Sequence, residues 1–352
     1  MGLTDKIGAH KAFWRGEGPC LILIPAPEPE GLPPYRLQFE DPRLMWEAQR
    51  ARARAVVDWP TDGIPTIRAN LGVVFMPALL GQEFHLVDDQ MPWPGRPLDE
   101  DTIRRAADVD VSQSDLMRRA EALYRFYRES GETEIAAYLP DTQGVFDVAH
   151  LLYGHALFTE ILDESRQNWV AELMEICLDL YIRASRHMKA MLGEEAGTMI
   201  HGHGTAQGVY FPHGGARVSE DTAILLSPET IATWIMPYVE RALRAFGGGF
   251  VHYCGRHEDL FAQLCRSEPV RAIDVQPGMH DTRWLLERCA ESDTILYSAA
   301  PAEQGESWRA FVRRLAGWVR ETGARCIIRP QVCPDTRDEC RAMLEMWHEL
   351  TV

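Results

Sequence analysis

The sequence predicts an α/β protein, a single (β/α)8 barrel with an N-terminal helical extension. Three observations lead there. Eight short apolar runs recur along the chain, each bounded by Gly or Pro or close to one. They are β-branched or aliphatic and lack clean polar alternation, as strands buried on both faces do. Long amphipathic stretches separate them, and an eightfold alternation of strand and helix is the pattern of a parallel barrel. An open doubly wound sheet would require a G-x-G-x-x-G turn after a strand, and no run here is followed by one.

Taken in order, the strand candidates are Cys20–Ile24, Gly72–Met76, Glu134–Leu139, Thr198–His203, Phe250–Cys254, Val270–Val275, Thr294–Ser298 and Arg325–Arg329. The polar start, Met1 to His10, has no apolar core of a secretory signal. Arg43 to Val57 and Leu116 to Tyr127 carry apolar residues at helical spacing. Ser227-Pro228-Glu229 reads as a helix start, with Ser as N-cap, Pro in the first turn and an acid at the positive end. That helix is expected to reach about Phe246, where Gly247-Gly248-Gly249 stops it. No linker or repeat divides the chain, so residues 1–352 are read as one domain.

Composition narrows the function. Hydrophobic residues make up 46% and charged residues 25%, an ordinary globular balance. Lys and Arg total 36 against 52 Asp and Glu, a net charge of −16. Such a chain has no electrostatic footprint for nucleic acid or an anionic membrane. No apolar run approaches the ~18 residues of a membrane span. The expected location is the cytoplasm, where eight cysteines need not form disulfides.

A barrel carries its active site at the C-terminal ends of its strands. There the chain places His252 and Cys254, His201 and His203, Asp141, Asp274, and Cys333. Residues i and i+2 share one face of a strand, so His252 and Cys254 point together into the mouth. Imidazole and thiolate are good zinc ligands, and zinc takes three or four, although the spacing alone equally suits a buried cysteine beside a hydrogen-bonded histidine. Cys333, just past the last strand, is better placed as a third ligand than Cys326 at its start. Cys265, Cys289 and Cys340 fall in helical stretches and read as packing residues. His201 and His203 also share a face and compete as a metal pair. The alternative, preferred because the thiolates already supply one metal site, is that they line the cavity. No G-x-S-x-G elbow, P-loop or H-E-x-x-H occurs.

The chain resembles the uroporphyrinogen decarboxylase-like superfamily, and within it most nearly the zinc-dependent methylcobamide:thiol methyltransferases. Four stretches carry the resemblance: Asp141-Thr142-Gln143-Gly144 through Leu152-Tyr153-Gly154; Val218-Ser219-Glu220-Asp221 through Leu226-Ser227-Pro228-Glu229 to Pro237-Tyr238; Phe246 through Val251-His252-Tyr253-Cys254-Gly255; and Pro334-Asp335-Thr336 to Arg341-Ala342-Met343. True uroporphyrinogen decarboxylases carry an early M-R-Q-A-G-R-Y segment, which is absent here. The resemblance implies a barrel that binds Zn2+ through His252, Cys254 and a later cysteine. It further implies methyl transfer to a small thiol from a methylcobamide, a corrinoid donor carried by a partner protein. His201, His203, Asp141 and Asp274 would line the substrate pocket, with His203 and Asp141 as catalytic candidates. A slightly shorter stretch before Pro334 keeps Cys326 open beside Cys333 as the third ligand. Two other functions stay open: a cofactor-free decarboxylase, with Arg and Asp at the mouth and no metal, and a catalytically silent binding barrel.

Overall fold

The computed structural model describes residues 2–352. Its twelve strands are β1 (Leu21–Ile22), β2 (Ile64–Arg68), β3 (Phe84–His85), β4 (Trp93–Pro94), β5 (Ala136–Tyr138), β6 (Met199–His201), β7 (Gln207–Phe211), β8 (Ala216–Ser219), β9 (Gly249–Tyr253), β10 (Val270–Val275), β11 (Ile295–Ala300) and β12 (Cys326–Pro330). Six of them form a parallel sheet in the order β1-β12-β11-β10-β9-β8. A mixed sheet, β5-β2-β7-β6, pairs β2 parallel with β5 and antiparallel with β7. The strands β3 and β4 make a separate hairpin.

The two larger sheets meet along two seams. At one, the Asp62 amide donates to Ile22 O at 3.1 Å and the Asp62 carboxylate accepts from the Ile22 amide at 2.7 Å. At the other, the Gly144 amide donates to Ser219 O at 2.6 Å and Thr142 Oγ1 to Arg217 O at 3.0 Å. Neither seam is a strand ladder among the described residues. The arrangement is a TIM-barrel-like α/β fold.

Helices cover the outside of the parallel sheet. Those at Glu258–Arg266, Thr282–Ser292, Trp308–Thr322 and Arg337–Thr351 follow β9 to β12 in turn. Their apolar stripes bury Phe261, Leu285, Phe311 and Met343, among others. The expected helices form at Pro42–Val57 and Asp115–Glu129. Ser227 caps as read, its hydroxyl accepting from the Thr230 amide at 3.2 Å, and the helix runs on through a π-turn at Ile231–Ile235 to Arg244. Gly249 does more than end that helix. A Cβ there would lie 1.8 Å from Ala216 O, so only glycine lets β9 start flush against β8.

The N-terminal extension is the helix Leu3–Trp14. It docks under the first seam: Lys6 Nζ donates to Thr61 O (3.0 Å) and Gly63 O (2.6 Å), and Trp14 Nε1 to Tyr210 O (2.7 Å).

Three strand assignments change. Gly72–Met76 is not a strand; it is a loop entering the short helix Phe75–Leu79, and the second strand is β2, at Ile64–Arg68. Both segments are rich in apolar residues, and Pro65 and Arg68, an imino and a charged residue that the fold buries, mask β2 in the sequence. Thr198–His203 is not a parallel strand either. Its core, β6, turns back antiparallel through Gly202–Ala206 into β7. Finally, β8 replaces it in the parallel sheet. Apolar runs carry burial but not direction, which depends on the following connection.

Candidate functional site

The site is built on Asp274, at the end of β10 and fully buried. Its Oδ2 lies 2.8 Å from both His203 Nε2 and His252 Nδ1, and Oδ1 accepts from Arg329 Nη2 at 2.6 Å. Burial alone would raise its pKa, but Arg329 and then His203 hold it well below the carboxylate range. Asp274 is therefore ionised and accepts hydrogen bonds from both rings. The parallel register places it opposite His252, with Arg329 two strands away on β12.

This bond orients each ring and selects its tautomer. The His252 tautomer that donates from Nδ1 to Asp274 leaves Nε2 with its lone pair. That Nε2 lies 3.2 Å from Cys254 Sγ and 3.4 Å from Asp221 Oδ1. Asp221 in turn accepts from the Cys254 amide at 2.7 Å. Ligand atoms of Asp221, His252 and Cys254 all lie within 4.8 Å of one another. The Cys254 thiol is pushed up to about 12, by burial first and then by the Asp221 carboxylate. Without a cation this group holds a thiol, not a thiolate, and a nitrogen–sulfur–oxygen donor set with a carboxylate behind the imidazole suits zinc.

His203 donates from Nε2, so its buried Nδ1 is an acceptor with no partner among the described residues. Burial holds its conjugate acid down at about 3, although Asp274 opposes this. His203 can thus accept a hydrogen bond at neutral pH without keeping the proton. Its φ of 42° lies in the left-handed region, as does Gln143 at 23°. Such strain in non-glycine residues gathers where a side chain must be aimed.

A second polar group is built on Asp141. Asp141 pairs with Arg217 and accepts from Gln143 Nε2 at 2.9 Å. Burial would raise the Asp141 pKa, but Arg217 and Arg68 lower it to about 2. His201 packs edge-on between Tyr138 (4.8 Å) and Phe250 (5.0 Å). Burial and then Arg217 push its pKa well below the usual histidine value.

The structure thus brings His203, His252, Cys254 and Asp274 together and gives Asp141 a separate arginine partner. His201 lies 6.2 Å from His203, ring to ring, and makes no part of either ligand cluster. Among the described residues Cys333 lies outside the 4.8 Å donor set; its Sγ lies 3.7 Å from Pro330 O. Cys326 is at the far end of β12, its amide donating to Cys20 Sγ at 3.4 Å. The sequence pattern assigns no role to Asp221, Arg68, Arg217 or Arg329. Recognising Ala216–Ser219 as a strand would have exposed Asp221 as another strand-end acid.

Asp221 is itself held from behind. Asp147 accepts from the Asp221 and Thr222 amides at 2.8 and 2.9 Å. Glu220 accepts from the Asp147 amide at 3.1 Å. These caps lock the turn Asp221–Leu225 onto the helix Val145–Tyr153.

No protein-family model matches the chain, and no curated protein matches it. Among solved structures it is similar to a methyltransferase from Methanosarcina mazei, with a TM-score of 0.68 over 100% of both chains. Sequence identity is 12%, so the likeness speaks to the fold.

Proposed function

We propose that the protein is a zinc-dependent methyltransferase that moves a methyl group from a corrinoid, or a similar donor, to a thiol. The observation that carries this reading is the convergence of His252 Nε2, Cys254 Sγ and the Asp221 carboxylate at the ends of β8 and β9, with Asp274 orienting His252. The solved methyltransferase of like fold supports it. On this reading residues 1–352 form one closed barrel domain working in the cytoplasm, with a corrinoid protein as the partner.

Zinc held there would lower the pKa of a bound thiol and so supply a nucleophile at neutral pH. The chain's own residues do the rest. Asp274 fixes the His252 ring and its tautomer. His203 Nδ1 accepts a hydrogen bond from the substrate, and Arg217 keeps Asp141 ionised beside it. The thiol gives up its proton to solvent as it binds; in the transfer a sulfur lone pair forms the S–C bond while the electron pair of the broken methyl bond stays on the donor. The remaining ligand is either Asp221, which already faces the pair, or Cys333, which the loop after β12 would have to bring in.

Zinc content of the purified protein tests this. Stoichiometric zinc, lost in Cys254→Ala, supports it, and comparing Asp221→Asn with Cys333→Ser assigns the remaining ligand. The activity assay pairs methylcobalamin with small thiols, with and without chelator.

One observation favours a second reading. Arg68, Arg217 and Arg329 are all at the mouth with Asp141, the set a cofactor-free decarboxylase would need. Chelator-insensitive decarboxylation of uroporphyrinogen would promote it over the methyltransferase.

A further inference from the structure

The barrel holds a cavity at the end opposite the mouth, and a cysteine opens onto it. About 760 Å³ in volume, it lies at the foot of β10, β11 and β12, beside Val270, Thr294 and Arg325. Cavities of this size take small molecules. Cys265, in the last turn of the helix Glu258–Arg266, is on its wall. That helix packs against Thr282–Ser292, which carries the fully buried Cys289. Both cysteines are free, and their thiols share a hydrogen bond.

The two sulfurs have unequal surroundings. The hydrogen bond from Cys289, then one from Ser292, then the Arg266 and Arg288 guanidinium groups hold Cys265 below an ordinary thiol despite its burial. Burial, then the bond to Cys265, holds Cys289 well above one. Arg288 Nε, next to Cys289 in the chain, is a buried donor without a partner among the described residues. The cavity wall is also uneven in charge. Arg271 pairs with Glu268 at 3.4 Å and Arg325 with Asp293 at 2.7 Å. Arg266, beside Cys265, lines the same cavity and has no carboxylate partner among the described residues.

We infer that Cys265 and Cys289 form a thiol–disulfide exchange site, open through this cavity to a small disulfide that carries a carboxylate. Arg266 receives the carboxylate. The Cys265 thiolate attacks one sulfur of the disulfide, forms a mixed disulfide and expels one thiolate. Cys289 then gives up its proton to that thiolate, attacks the Cys265 sulfur and expels the other half, which takes a proton from solvent. In all, two protein thiols lose two electrons and two protons, and the small disulfide gains both and leaves as two thiols. Such pairs in a cytosolic chain are reversible sensors rather than structural staples. Cys20 and Cys326 also adjoin, the Cys326 amide donating to Cys20 Sγ, but both are buried. The site is remote from His252 and Cys254 and does not depend on the reaction assigned to them.

Peptide mapping by mass spectrometry tests this on the purified full chain, treated with dithiodipropionate, an anionic disulfide, or cystamine, a cationic one. Dithiodipropionate should join the Cys265 and Cys289 peptides through a bond that dithiothreitol reverses, while Cys20 and Cys326 stay thiols. Cys289→Ser should stop at the mixed disulfide on Cys265, and Cys265→Ser should leave Cys289 unmodified. Thermal melts check that both variants fold, and the wild-type map stands without them. At low salt the anionic disulfide should react about ten-fold faster than the cationic one, the lower end of what a focused charge gives. Arg266→Gln should remove that difference. No modification at Cys265, a mixed disulfide that persists there in the wild type, or Cys289 reacting equally in Cys265→Ser would overturn the exchange site. Cystamine reacting as fast as dithiodipropionate, or a preference unchanged in Arg266→Gln, would overturn the anionic ligand.

Discussion

Asp274 shows how much one side chain can organise. It accepts from His203, His252 and Arg329 at once, and only its ionised form can do so. Replacing it with Asn should weaken zinc binding by about 10–100-fold, as loss of a carboxylate behind a ligating histidine does. Competition against a chromophoric chelator measures this, and an unchanged affinity would mean that His252 is not held for a metal. Asp141 makes a different prediction, about pH. Its pKa is lowered from 3.8 to about 2 in the folded chain. Stability from the Asp141–Arg217 pair is therefore complete above pH 3.8 and is lost as pH falls toward 2. The loss is about 2 kcal/mol at most. Urea unfolding of the wild type and Asp141→Asn between pH 5 and 2 should show the gap between them closing. Parallel curves would mean that the pair does not shift Asp141.

At the scale of elements, the contact of β8 with β9 matters most, because β8 delivers Asp221 and β9 delivers His252 and Cys254. Their register, Ser219 beside His252, depends on the close approach at Gly249. Gly249→Ala should force the strands apart and cost about 1–3 kcal/mol, the usual penalty of overpacking. Denaturant titration reads that cost. Zinc content should fall with it, since the donor set spans both strands. A fully stable, fully loaded variant would show that the approach can relax without disturbing the site. The hairpin β6–β7 has the opposite character. It contributes no strand to the parallel sheet, yet its turn carries His203 into the mouth at the cost of a left-handed residue.

For the whole molecule, metal and fold are linked. A ligand that binds only the folded chain stabilises it by about 2.7 kcal/mol at a hundred times its dissociation constant. Chelator should thus lower the melting temperature of the wild type and leave that of Cys254→Ala unchanged. If chelator shifts both or neither, the metal is not bound through Cys254. What the linear order of residues determined is local: the helices with their caps, the buried parallel strands β9 to β12, and the His252–Cys254 pair. That pair was legible because two residues spaced by one on a strand must share a face. Tertiary structure alone decided the rest. Asp221, Asp274, His203 and Arg329 lie on four separate elements, and only lateral strand order and register bring them to one point. Direction was equally hidden, since β6 and β10 look alike as apolar runs and differ only in where the following turn sends the chain. Hydrophobic burial is written residue by residue, whereas hydrogen bonding between strands depends on partners distant in sequence.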